Sequence, residues 1–221
     1  MLSDFDKKYM PYLMVVLVAV LSVVGVLVFV QPEKNEEELS KKLTQSETKN
    51  TMESSEPETK RKSKYAASDS ETESVTRVMN AYFKARNEHD ADTMNELTVN
   101  AEPFTSDDFQ MEEQYIRKFD DVSLYIYKDQ EYDYFIVYAK YMVYFRGITE
   151  GAPSLSRFVV RERDDGMRIW NKTWPDQVVN FVRDTEGAKE VRTLISEVNK
   201  DLKTATEKNA DLKSLVELIE Q

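Results

Sequence analysis

The chain has 221 residues, no cysteine, a single histidine and a formal net charge of −11 at pH 7. The missing cysteine excludes disulfides, thiolate nucleophiles, zinc-ribbon sites and a lipidated-Cys anchor. The acidic excess is spread along the chain and no segment is basic, so no nucleic-acid partner is expected, because phosphate binding needs a clustered positive surface.

In chain order, residues 1–8 form a short tail with Lys7 and Lys8, and residues 9–32 carry no charge at all. The apolar run Tyr12 to Val30 is long enough as a helix to match the roughly 30 Å hydrocarbon layer of a bilayer. A cleaved signal peptide has a shorter apolar core and small residues before its cut site, whereas this run ends in Val28-Phe-Val-Gln-Pro32. A buried soluble helix is rarely apolar all round for five turns. Residues 9–32 are therefore expected to be a transmembrane signal-anchor, with residues 12–30 in contact with membrane lipid. The flanking lysines do not by themselves fix its direction. A few residues before an anchor and a long chain after it suggest a cytoplasmic tail and an extracytoplasmic C-terminal part at the cell membrane.

Residues 33–69 are rich in Glu, Lys, Ser and Thr. They hold too little apolar surface to offset the entropy of ordering, so a disordered charged linker is expected. Its basic patch Lys60-Arg-Lys-Ser-Lys64 reads as mixed-charge linker or as a contact for anionic headgroups.

Residues 70–175 read as an α+β domain. Ser70-Glu-Thr-Glu73 has the pattern of a capping box, and Val75, Val78, Met79, Tyr82 and Phe83 follow at helical spacing. The stripe stops at Asn87-Glu-His-Asp90, a second short helix carries Met94 and Leu97, and Ser106 can cap a third with Phe109, Tyr115 and Ile116. The period then changes to 2, predicting four antiparallel strands at Val122–Tyr127, Tyr132–Phe145, Leu155–Arg163 and Met167–Trp174. Asp164-Asp-Gly166 is a hairpin signal. A three-residue loop there sets Glu162 opposite Arg168 and Val160 opposite Trp170, with Phe158 and Trp174 on the same, helix-covered face. Arg157, Val159, Arg161 and Ile169 then share the wetter face.

Residues 176–221 read as a C-terminal helical segment, with Val178, Val179 and Val182 before a break at Gly187. Val191, Ile195, Val198, Leu202, Ala205, Asn209, Leu212, Val216 and Ile219 then recur in 4,3 alternation, a heptad seam with Asn209 as its polar position. Such a seam can pair in a coiled coil and give a homo-oligomer, lie on the domain, or fold back as a hairpin.

The stretch Val78-Met-Asn-Ala-Tyr-Phe-Lys-Ala-Arg-Asn-Glu-His-Asp-Ala-Asp-Thr-Met-Asn-Glu-Leu97, followed by the meander, resembles the nuclear transport factor 2-like (NTF2-like) superfamily, also called SnoaL-like or ketosteroid-isomerase-like. The resemblance covers Val75–Trp174. It implies a cone-shaped sheet wrapped on helices with a pocket between them, and no single activity, since function lives in sites rather than folds. Some scaffold subunits of conjugation or type IV secretion machines look similar, with a short tail, one anchor and a domain of this fold.

The resemblance implies an acid–base Asp or His–Asp pair in the cone for the enzymes of the superfamily. No catalytic constellation is identified in this chain. His89 reads as a turn or cap residue, Asp133 and Glu162 lie beside charged or wet positions, and Glu162 has a structural partner in Arg168. Metal-ligand and phosphate-loop spacings are absent, so neither cofactor nor metal is expected. The candidate pocket or interaction residues are Tyr82, Phe83, Phe158, Val160, Trp170 and Trp174. Tyr125, Tyr127, Tyr132, Tyr134, Tyr138, Tyr141 and Tyr144 read as half-buried strand residues or an aromatic surface, and Arg157, Arg161 and Arg163 as a solvated face or a dock for an acidic partner. Asn171-Lys-Thr173 matches a glycosylation sequon. The expected function is a non-catalytic protein-interaction or assembly module of the cell envelope. A secretion-machine scaffold and a small-molecule-binding or enzymatic cone are the alternatives.

Overall fold

The computed structural model describes residues 65–219. The expected tail and anchor, and the linker up to residue 64, lie outside the described residues, among which no helix is long and apolar enough to cross a membrane.

Helix α1 spans Asp69–Glu88. Its cap is Ser68, not Ser70. The spacing Ser-x-x-Glu occurs twice here, and the chain uses the first copy: Glu71 N donates to Ser68 Oγ at 3.4 Å, and Ser68 N donates to Glu71 Oε2 at 2.9 Å. Glu73 is left to pair with Arg77 one turn on. The stripe Val75, Val78, Met79, Tyr82 and Phe83 is buried as its period requires. His89 ends α1 in the left-handed region at φ 53°, the cap role expected of it. Asp90 starts α2 (Ala91–Leu97), its carboxylate accepting from Thr93 N at 3.0 Å and from the Thr93 hydroxyl at 2.6 Å.

The expected third helix is two pieces, a 3-10 turn at Ser106–Phe109 and α3 at Gln110–Tyr115. Ile116 belongs to the next strand. Strand β2 runs Ile116–Lys128, longer than its alternation suggests, because an irregularity between Asp120 and Ser123, with Asp121 at φ 53°, inserts one residue and inverts the parity. Phe119 and Val122 thus reach the same core from an odd and an even position.

Strands β3 (Tyr134–Phe145), β4 (Ala152–Arg163) and β5 (Gly166–Trp170) complete an antiparallel meander. The sheet has five strands rather than four. The fifth is β1, Thr98–Val99, which lies parallel to β5 and gives the order β1-β5-β4-β3-β2. Two residues are too few to show a period.

The β4–β5 loop holds two residues, not three. Arg163 pairs with Gly166, which carries φ 114° inside the strand. Val160 is therefore opposite Ile169, Arg161 opposite Arg168 and Glu162 opposite Met167. A one-residue slip moves side chains to the other face, so Ile169 is fully buried in the α1-side core and Trp170 is not in it.

Both faces of the sheet are covered. On one side α1 packs Val75, Met79, Tyr82 and Phe83 with Val137, Tyr141, Phe158, Val160 and Ile169. On the other, α4 (Asp176–Gly187) and α5 (Lys189–Lys208) bring Val178, Phe181, Val182, Val191, Leu194, Ile195 and Val198, all buried, to the face of Ile136, Tyr138 and Val159. The face expected to be wetter is thus partly interior. Val179 points out, at 39% exposure, and Phe181 takes its place.

The heptad seam lies on its own domain. Asn209 ends α5, and its side-chain oxygen accepts from Leu212 N at 2.9 Å, starting α6 (Ala210–Ile219). The polar seam position is a break between two helices, and Ala205 and Leu212 are buried in the α1-side core. Leu202 and Val216 pack partly buried against that core. From Val191 to Leu212 the apolar positions of the seam are thus largely packed within the chain.

Candidate functional site

Four of the six candidate pocket residues come together under α1. The ring centroids of Tyr82 and Phe158 are 5.3 Å apart, those of Tyr82 and Phe83 5.6 Å, and Val160 lies in the same cluster. Trp170 is elsewhere, on the opposite side of the β4–β5 ladder, because of the shorter loop, and Trp174, past the end of β5 at Trp170, lies against Arg157. Trp174 Nε1 donates to Trp170 O at 3.3 Å.

Sequence reasoning missed the charged heart of this interior. Arg86, on the last turn of α1, donates from Nε and Nη2 to the Glu112 carboxylate of α3 at 3.1, 3.1 and 2.6 Å. Both side chains are buried, at 3% and 7% exposure. The guanidinium also lies 4.2 Å from the Phe119 ring centroid, and its Nη1 has no hydrogen-bond partner. Burial works against the charge on Arg86, but Glu112 outweighs it and keeps the guanidinium more firmly protonated than usual. Burial also pushes the Tyr82 hydroxyl up to about 12 and raises that of Tyr141, which shares a 2.8 Å hydrogen bond with Ser156. These phenols stay protonated at neutral pH and act as neutral hydrogen-bonding groups. The signal for the pair was an arginine on the apolar stripe of α1, one residue after Ala85.

The other proposed polar residues stand apart. Among the described residues no group of three or more His, Asp or Glu is placed to hold a metal ion. Asp133 and Glu162 are exposed and meet only through Glu162 N donating to Asp133 O at 3.3 Å. Glu162 does not pair with Arg168, which bonds Asp165 at 3.0 Å. The tyrosines divide between the two cores and the surface: Tyr134, Tyr138 and Tyr141 are buried, Tyr127 and Tyr144 half-buried, and Tyr125 and Tyr132 exposed. In the sequon, Asn171 donates its amide to Asn100 at 2.9 Å.

Arg157 is buried and paired with Glu186 of α4, under the Trp174 ring. Arg161 sits between the Tyr134 and Trp170 rings, at 5.2 and 5.5 Å from their centroids. Next to it opens a polar groove of about 580 Å³, lined by Asn95, Glu96, Thr98, Asn100, Arg163 and Arg168 among others.

No protein-family model and no curated protein matches the chain. Among the solved structures similar to it are two from bacteria. One is an NTF2-like-family protein from Streptomyces avermitilis, described as a candidate dehydratase, at 15% identity and TM-score 0.34, spanning 46% of this chain and 92% of that one. The other is a domain of unknown function with a cystatin-like fold from Nostoc punctiforme, at 12% identity and TM-score 0.36, spanning 62% and 99%. Likeness at this level says nothing about activity.

Proposed function

We propose that the chain is a single-pass membrane protein, anchored by residues 9–32, whose folded part is an NTF2-like domain serving as a non-catalytic protein-interaction or assembly module on the extracytoplasmic side. The observation that carries the reading is the filled interior. Tyr82, Phe83, Tyr141 and Phe158 occupy the space under α1, and the buried Arg86 guanidinium there is neutralised by Glu112 from the same chain. A ligand there would have to displace packed side chains and separate a buried ion pair, which costs several kcal/mol. An outer surface displayed beyond an anchor and a charged linker suits capture of other proteins in or near the membrane.

The test is cross-linking in intact cells with a lysine-reactive reagent, followed by mass-spectrometric identification. Discrete adducts with particular envelope proteins are expected. A chain that yields no adducts, and whose melting temperature rises with a small molecule bound in the interior, would overturn the reading in favour of a ligand-binding cone.

A further inference from the structure

The arginine face of the β4–β5 hairpin has more positive charge than the fold neutralises. Arg161 and Arg168 are direct cross-strand partners, and Arg163 is two residues along β4 on the same face. Like charges opposite one another on neighbouring strands are destabilising. Asp165 answers Arg168 at 3.0 Å and reaches Arg163 only at 3.9 Å. Arg161 has no carboxylate within salt-bridge distance among the described residues, and its buried Nε has no hydrogen-bond partner. Instead the Tyr134 and Trp170 rings hold its plane from two sides. A guanidinium fixed by aromatic faces is pre-organised for bidentate recognition of a carboxylate.

Arg163 and Arg168 also line the 580 Å³ groove at the β5 edge, where β1 covers only Ile169 and Trp170. The groove continues past the amide side chains of Asn95 and Asn100; Glu96 and Asp165 also line it, so the surplus positive charge lies on the hairpin face at Arg161 and Arg163 rather than along the whole groove. A net charge of −11 repels long polyanions, so a short acidic stretch suits this local positive site better than nucleic acid.

We infer that this face docks an acidic peptide segment of a partner protein, with a carboxylate on Arg161 and further ones along Arg168 and Arg163. This rests on the interaction reading above and names the chemistry of the partner.

The experiment measures fluorescence polarisation of a labelled hexaglutamate peptide against the full chain in non-ionic detergent, with labelled hexaserine as the comparison. Saturable hexaglutamate binding is expected, weakened at least tenfold between 50 and 300 mM NaCl because the contacts are partly exposed ion pairs. Arg161→Gln and Arg163→Gln should each weaken it at least fivefold, and Arg192→Gln, on the exposed side of α5, should leave it unchanged. Arg163 is 47% exposed, so its substitution tests the site even if Arg161→Gln disturbs folding. Absence of saturable binding, or equal binding by Arg163→Gln, overturns the inference. Cross-linked partners that persist in Arg161→Gln and Arg163→Gln cells would sink this site while leaving the interaction reading intact.

Discussion

Replacing Glu112 with Gln should be among the most damaging single changes in the domain. The carboxylate accepts three hydrogen bonds from Arg86, and both groups lie in an interior built from Phe83, Phe119 and Tyr141. Removing one partner of a buried pair leaves an uncompensated charge, at a cost of about 3–5 kcal/mol. At roughly 2–4 °C per kcal/mol for a domain of this size, the melting temperature should fall by roughly 10 °C. The double change Arg86→Met with Glu112→Leu removes the charge as well as its partner. It should recover most of that loss, to within about 2 kcal/mol of the parent. Thermal unfolding followed by near-ultraviolet circular dichroism, which reports Trp170 and Trp174, gives both values. A Glu112→Gln protein within about 1 kcal/mol of the parent would refute the reasoning, since Arg86 would then have to reach water.

Glu71 provides a pH test. Its hydrogen bonds from Lys128 and Ser68 hold its carboxyl at about 2, below the ordinary 4.5. Its contribution to stability is therefore full above about pH 4.5 and is lost as pH falls through about 2, so melting temperatures of the parent and Glu71→Gln should converge on acidification. A gap that widens towards acid would contradict this. Leu212→Ala should cost about 2–5 kcal/mol, because Leu212 is fully buried where α6 joins the core; urea unfolding that shows less than 1 kcal/mol would mean α6 is not docked. The anchor reading predicts that the chain stays with membranes through alkaline carbonate washing and that a chain lacking residues 1–32 is released. Release of the intact chain by the wash would remove the anchor from the account.

The helical half of the domain was largely legible because a period of 3.6 repeats several times within one helix. Val75 to Phe83 are buried as spaced, and the 4,3 seam from Val191 correctly marks a buried face. The identity of the surface covering that seam was not legible, since a helix laid on a sheet and a coiled coil share the pattern. Sheet details failed where one residue decides parity. The Asp121 irregularity and the two-residue loop before Gly166 each invert a face, and the second sent Trp170 and Ile169 to the wrong sides. The Arg86–Glu112 pair was hidden for a different reason. Its members are 26 residues apart on separate helices, so the place of Arg86 on the apolar stripe of α1 gave no sign of which carboxylate would meet it.

The account turns on whether the domain's outer surface, rather than its interior, meets other molecules. Site-specific photo-cross-linking in living cells tests this most directly, with a photoreactive phenylalanine analogue placed at Asp164 on the exposed hairpin and at Phe158 in the core. The account predicts adducts with another protein from position 164 and none from position 158. Adducts absent from position 164, together with a small molecule captured at position 158, would contradict it.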